Sequence, residues 1–417
     1  MTRSSYQLRS LASRMSALLL LFCGGASTSR VRAGCRRRRA MAQCVSRDFL
    51  GNWDSVHDSQ VLISGGGMAG VGAAARLVSA GVDVVLCEQG RGLGGRVCTR
   101  HVRESGLAFD FGAQYFAPKA GTPFAELCLE LEREGACARW HATLGSITAD
   151  SSGLFLSSSF VPWRADKTAY VGVPSMSSVG KQLLRSAAAL PNSGALTVAL
   201  GTRVAPGSLC RDGDSWLADT HAKGQPDARR TSRHRAVLAL GSASSSFNVV
   251  APVAPDLAAA AGRVQADCCW ALMVAFASPL ALPFEGVLVS GSPALAWAAN
   301  NSSKPGRGTL PECWVVHAGA EWSNARRDAE PREVAQQLLA AWLGAAGREA
   351  SAAEVVHLEA FRWNAAFPLS VADSGGAGCF VDAQAHLGLA GDWCVGPRAG
   401  DAWSSGQAAA AALLQGL

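Results

Sequence analysis

The sequence predicts an α/β protein of the Rossmann-like type, and three observations carry that prediction. A short apolar run at residues 61–64 feeds directly into Gly65-Gly66-Gly67-Met68-Ala69-Gly70. A helical pattern follows the glycine turn, with Val71, Ala74, Ala75, Leu77 and Val78 on one face. A second apolar run, residues 82–87, then ends in an acid, Glu88. A lone G-x-G-x-x-G is a weak signal, whereas strand, turn, helix, strand and acid in register form a strong one.

Each part of that unit has a physical role. Gly65 permits the tight turn, Gly67 lets a pyrophosphate approach the backbone, and Gly70 allows helix and strand to pack closely. The positive helix end then faces the diphosphate. Glu88, 23 residues after Gly65, is placed to accept hydrogen bonds from an adenosine ribose and would repel a 2′-phosphate, which disfavours NADP. The continuation Gly90-Arg91-Gly92-Leu93-Gly94-Gly95-Arg96-Val97 supplies a second glycine turn. Such a turn can wrap a pyrophosphate from the other side, with Arg96 as a bidentate partner. An NAD site needs no such turn, so FAD is the favoured dinucleotide. Against this stands a plain flexible loop with a solvated Arg96.

The charge is unevenly spread. Of 38 Lys and Arg against 32 Asp and Glu, ten Arg lie in residues 1–47, which hold no acid; the remaining 28 basic residues leave residues 48–417 at −4. The basicity thus belongs to a leader, and no nucleic-acid partner is implied. Arg3, Arg9 and Arg14 precede an apolar run at residues 17–23, too short for a membrane span. The block Arg36 to Arg39 follows and reads as transit-peptide composition. The expectation is a plastid, reached through a signal-plus-transit leader, with a mitochondrion as the alternative. Thirteen Cys include no C-x-x-C and no zinc-type spacing; buried reduced thiols and no metal site are expected.

Later segments resemble a known family. The run from Val61 to Arg96 is similar to the FAD-binding start of the flavin amine oxidase superfamily. Within it, Phe109-Asp110-Phe111-Gly112-Ala113-Gln114-Tyr115-Phe116 resembles a segment of renalase-like FAD oxidoreductases. So do Tyr170 to Met176, Trp297 to Arg307 (WAANNSSKPGR), Trp314 to Ser323, Phe361-Arg362-Trp363, Gly391-Asp392-Trp393 and Trp403 to Gly406. The resemblance spans about residues 60–417.

The resemblance implies a discontinuous FAD-binding domain (residues 59–118, 166–250 and 386–417), with an inserted α+β substrate domain on a mixed sheet (residues 119–165 and 251–385). The sequence agrees with strand patterns at 197–200, 215–218 and 236–240, and with a helix opened by Thr122-Pro123 that presents Phe124, Leu127, Cys128 and Leu131. The folded chain is expected to start near Ser59. Asp392 would bind a ribityl hydroxyl, or else act as an N-cap or turn residue. An Ala-rich helix from about Ser405 would aim its N-terminus at the flavin. Met68, Ala69, Gln89, Gly94, Gly95, Gly112, Ala113, Val204, Gly391 and Ala402 complete the expected cofactor-binding set.

Gln114, Tyr115, Arg362 and Trp363 are the candidate catalytic positions, orienting substrate rather than moving protons; Trp297 is a second choice for the pocket wall. Lys304 reads as a solvated loop residue, with a flavin-proximal Lys as the alternative. The implied activity is an oxidase that passes electrons from an amine-like or dihydronicotinamide-type small molecule to FAD and then to oxygen. Where many relatives read R-V-E-G-A, this chain has Arg398-Ala399-Gly400-Asp401-Ala402, with the acid displaced by one place. A non-catalytic FAD-binding protein with an assembly or sensing role is the alternative. A disulfide reductase is disfavoured by the single G-x-G-x-x-G set between a strand and a helix and by the lack of C-x-x-x-x-C.

Overall fold

Apolar strands at the chain's start gather residues far apart in sequence into one parallel sheet. A computed structural model describes residues 49–148, 160–163, 168–348 and 354–417; the leader lies outside the described residues. Strands Leu50–Gly51, Leu196–Leu200, Val84–Glu88, Ser59–Ser64 and Arg229–Ala239 lie side by side in that order, each parallel to its neighbour. Leu387–Leu389 pairs in parallel with the end of Arg229–Ala239. The first half of that long strand instead pairs antiparallel with Ser215–Ala222, which also carries Thr202–Val204. The folded chain begins before Ser59, because Leu50–Gly51 already forms the sheet edge and Phe49 is buried beneath it.

Val84–Glu88 is buried along its whole length, as a strand covered on both faces must be. Helix Met68–Ser79 buries ten of its twelve residues against this sheet. The last helix, Ala399–Leu414, crosses it at close range: a Cβ on Gly406 would stand 1.9 Å from the Ala69 carbonyl oxygen. Its run of Ala and Gly is what permits that approach. This helix starts six residues earlier than the sequence suggested. Asp401 caps it, accepting a hydrogen bond from the Arg398 N–H at 3.1 Å.

Helix Pro123–Arg133 forms as expected, with the Thr122 hydroxyl capping the Ala125 N–H and Phe124, Leu127, Cys128 and Leu131 buried. These side chains belong to the same core cluster as Met68, Val71 and Leu86. Phe124 meets Phe116 and Trp403 at ring separations of 5.7 and 5.8 Å. The helix therefore packs with the nucleotide-binding layer, not with the second sheet.

The second sheet runs Val355–Pro368, Ala266–Phe276, Glu312–Ala318, Leu295–Asn300, Gly286–Ser290, Leu144–Thr148, Val161–Pro162. Its pairs are antiparallel except for Gly286–Ser290 with Leu144–Thr148, so the sheet is mixed. Helix Pro331–Ala345 covers one face, where Trp314 and Trp342 meet at 5.0 Å. On the other face Ala271, Met273, Ala275 and Val315 pack on Leu107, Phe109 and Phe111. That contact brings the segment after the first glycine loops beneath the second sheet. All ten cysteines among the described residues are free. Among the described residues no group of His, Cys, Asp and Glu could hold a metal ion, and no helix is long and apolar enough to cross a membrane.

Candidate active site

The parallel strands end together at Ser64, Glu88, Ala239 and Leu389, and the loops that follow them converge. In open α/β sheets this edge is where ligands sit. Gly65 leaves its strand with φ +112°, and its N–H bonds to the Cys87 carbonyl at 2.8 Å. Gly70 packs so tightly that a Cβ would lie 1.8 Å from the Gly65 oxygen. Gly67 differs: a Cβ there would meet nothing closer than Gly95 Cα at 4.0 Å. The second glycine loop closes the other side, with the Gly94 N–H bonded to Gly66 O at 2.8 Å and a bridge from Gly67 to Gly94. The result is a groove between two backbone loops, with the Glu88 and Leu93 side chains beside Gly66, ending at the N-terminus of helix Met68–Ser79; Met68 and Ala69 are buried in its first turn.

Glu88 closes the groove. Its carboxylate accepts the Gly66 N–H at 2.7 Å and the Gly90 N–H at 2.6 Å. Burial raises its pKa, and these two N–H groups, with Lys223 and Arg203 further off, work in the opposite direction. Each carboxylate oxygen keeps capacity for another donor such as a ribose hydroxyl. Gln89 is exposed beside it. Val204 is buried in its strand among side chains of the sheet's other face.

Arg96 and Asp392, 296 residues apart, form a bidentate ion pair at 2.6 and 2.8 Å. Arg96 also donates to Ala366 O at 2.9 Å. The sequence expectation gave each of them a separate cofactor contact; in the structure they satisfy one another. Asp392 is buried and Arg96 is partly open to solvent. A cavity of about 240 Å³ adjoins the pair, lined by Arg96, Asp392, Trp393, Ser242, Asn364 and Arg327. Gly391 anchors the Asp392 turn by donating to the Ser405 hydroxyl at 3.0 Å. Ala402 lies in the first turns of helix Ala399–Leu414 and packs on the main core.

The segment Asp110 to Tyr115 runs beside this arrangement. The Ala113 N–H bonds to Arg96 O at 2.8 Å, and a Cβ on Gly112 would lie 1.9 Å from that oxygen. The Phe111 carbonyl receives Trp363 Nε1 at 3.0 Å and faces His317 Nε2 at 3.0 Å. Burial lowers the His317 pKa to about 4, so the ring is neutral and donates from Nε2. Trp363 stacks on Phe111 at 4.8 Å. Arg362 projects from the other face of the same strand, as alternation requires. It bonds to Asn364 and lies over the Trp270 ring. The structure therefore does not bring Arg362 together with Trp363, Gln114 and Tyr115.

Tyr115 lies among Trp140 and Trp297, with ring separations of 6.2 and 5.8 Å, and Trp297 stacks on Trp163. Burial raises the Tyr115 pKa while nearby Arg398 pulls it down. The Trp297 Nε1–H is buried without a partner. Gln114 is buried and donates to Asp110 O. Lys304 corrects the sequence reading: its side chain is 0% exposed, bonded to Asp110 and Gln114, and is not a solvated loop residue. Asp110, Thr99, Asn301 and Arg307 complete a buried polar cluster that sequence reasoning did not assign, with the half-buried His317 nearby on the Phe111 carbonyl. The N-N-S-S-K-P-G-R segment was visible, but nothing local points it at a carboxylate nearly 200 residues upstream.

A glycine-walled groove at a helix N-terminus, with an acid at the end of the next strand, defines a Rossmann-like dinucleotide-binding protein. Residues 63–131 match the NAD(P)-binding Rossmann-like domain family. The chain as a whole resembles solved structures of oxidoreductases. One is described as a putative protoporphyrinogen oxidase from Exiguobacterium sp. 255-15, with 12% identity, TM-score 0.59, covering 85% of this chain and 98% of that one. Another is putrescine oxidase bound to putrescine, with 12% identity, TM-score 0.60, covering 86% and 99%. A third is an oxidoreductase from Methanosarcina mazei, with 13% identity, TM-score 0.56, covering 81% and 94%. At these identities the likeness is one of fold: a mixed α/β architecture of the flavin amine oxidase type.

Proposed function

We propose that this chain is a renalase-like FAD-dependent oxidase of the flavin amine oxidase superfamily, acting on a small dihydronicotinamide-type or amine-like molecule. The observation that carries the reading is the double glycine groove closed by Glu88, since the second loop is what an FAD diphosphate needs and an NAD site does not. FAD, when bound, supplies a two-electron acceptor for a hydride. The residues present fit it. The backbone N–H groups at the start of helix Met68–Ser79 would hold the diphosphate and Glu88 the ribose, and Arg96 and Asp392 line the adjoining cavity.

The chain's own part in the reaction is placement. Gln114, held at its carboxamide, and Trp363, stacked on Phe111, present fixed surfaces to a flat substrate. Tyr115, Trp140 and Trp297 add an aromatic wall. A dihydronicotinamide loses two electrons and one proton, an amine two electrons and two protons; oxygen takes up two electrons and two protons to leave as peroxide, the second proton coming from solvent in the first case. The second sheet and helix Pro331–Ala345 act as the substrate-binding part, helix Pro123–Arg133 belonging to the nucleotide-binding layer instead, and the leader directs the protein to a plastid.

Anaerobic mixing of the purified protein with dihydronicotinamide isomers, or with small amines, tests the reading. Substrate-driven loss of the flavin's visible absorbance, reversed by oxygen with one peroxide per turnover, is the expected result. Bound flavin that no such substrate bleaches would instead favour the non-catalytic alternative.

A further inference from the structure

Asp110 sits where the first glycine-loop unit meets the second sheet. Its carboxylate is fully buried, with Thr99 Oγ1 donating at 2.6 Å and the Met176 N–H at 3.3 Å to one oxygen. The other oxygen receives Lys304 Nζ at 3.1 Å and Arg307 NH2 at 2.6 Å. Two cations thus share one carboxylate inside the protein. Burial alone would raise the Asp110 pKa, but the two cations bring it below its ordinary value. Arg307 is held further by the Gly172 and Pro305 carbonyls.

Lys304 has three N–H donors and uses all of them: Asp110 Oδ2, Gln114 Oε1 at 3.1 Å and Asn301 Oδ1 at 3.3 Å. None is left for a ligand. Gln114 is clamped from both ends, because its oxygen accepts from Lys304 while its Nε2 donates to Asp110 O. Asn301 ties the same stretch to the second sheet, donating to Ala108 O at 2.8 Å and accepting from the Asp110 N–H at 3.2 Å.

We propose that Lys304 is a positioning residue: reaching out of the second sheet, it orients the Gln114 carboxamide and fixes the Asp110–Gln114 segment against the dinucleotide groove, without exchanging a proton with substrate. The proposal rests on the oxidase reading for its catalytic consequence, but its structural half stands apart from it. The charge balance also says which variant should survive. Removing the Lys304 charge leaves Arg307 and Asp110 as a one-to-one buried pair, whereas removing the Asp110 charge strands two cations.

The test compares wild type, Lys304→Met, Gln114→Leu and the double variant in the full-length protein. Hydrogen exchange is read at residues 110–116 without added FAD, together with kcat and KM on whichever substrate bleaches the wild type. For Lys304→Met, exchange at 110–116 is expected to rise about tenfold, the size of one lost hydrogen bond, with the strand Ser59–Ser64 unchanged. Both single variants lower kcat about tenfold with KM within about twofold, and the double variant is no worse than either. Wild-type exchange at 110–116 in Lys304→Met, or additive losses of kcat, overturns the proposal. Should Lys304→Met fail to fold, Gln114→Leu decides: a wild-type kcat there overturns it. A failed oxidase reading shows separately, as wild-type protein that no substrate bleaches, and the exchange result still decides whether Lys304 fixes the Asp110–Gln114 segment.

Discussion

Two glycines three residues apart, Gly67 and Gly70, should fail in opposite ways when given a methyl group. At Gly70 a Cβ would stand 1.8 Å from the Gly65 oxygen, against an ordinary contact of 3.4 Å or more. The turn must open by about 1.5 Å, and overpacking of this kind costs about 1–3 kcal/mol. Gly70→Ala should therefore lower the urea midpoint of the cofactor-free protein. At Gly67 a Cβ finds no protein atom within 4.0 Å of it except Gly95 Cα. Gly67 is also the N-cap, in extended backbone with no side-chain cap, so Gly67→Ala loses about 1 kcal/mol at most. The new methyl nevertheless projects into the groove. The same 1–3 kcal/mol, now charged against the ligand, weakens FAD binding about 5- to 150-fold. Urea unfolding of stripped protein and titration of FAD by its fluorescence read the two quantities separately. Wild-type FAD affinity in Gly67→Ala would show that the diphosphate does not lie in this groove, and a wild-type midpoint in Gly70→Ala would refute the packing argument.

Other consequences follow from charge. Arg96→Met leaves the buried Asp392 carboxylate without its partner, whereas Asp392→Asn leaves an Arg that already reaches solvent. The first should cost about 2–3 kcal/mol and the second clearly less; equal losses in denaturant unfolding contradict the asymmetry. Burial also lowers His234 and His317, each to about 4. The unfolded chain, with both near 6.5, binds more protons between those values, so stability falls as pH drops from about 6.5 to 4. His317→Gln should remove about one proton from that slope, measurable as the pH dependence of the unfolding midpoint; an unchanged slope counts against a buried neutral His317. Lys304, lowered to about 8 by burial first and by Arg307, acts in the alkaline range with the same sign. Its unfolded form holds the proton up to about 10.5, so stability rises with pH from about 8 towards 10.5, and Lys304→Met should flatten that rise.

Much of the nucleotide-binding half was legible because its signals are local. The glycine turn, the Thr122 cap and the apolar face of helix Pro123–Arg133 all stand within a few residues of one another. The start of the last helix was misplaced because its N-cap is Arg398, and the capping acid sits at the third helical position instead. The strand Leu50–Gly51 is two residues long and follows an Arg-rich stretch, so no period could show it. Arg362 and Trp363 were grouped as sequence neighbours, yet strand alternation sends them to opposite faces. Lys304 shows the deeper limit. A lysine in S-S-K-P-G-R reads as surface until the topology folds the second sheet over Asp110, and only then do its three acceptors appear together.

The central claim is that the groove between the two glycine loops holds FAD. Its most direct test is the visible absorption spectrum of the full-length protein as purified, followed by titration with FAD after stripping. One tightly held FAD per chain, with affinity lost in Gly67→Ala, is the expected result. A colourless protein that takes up no added FAD would contradict the claim outright.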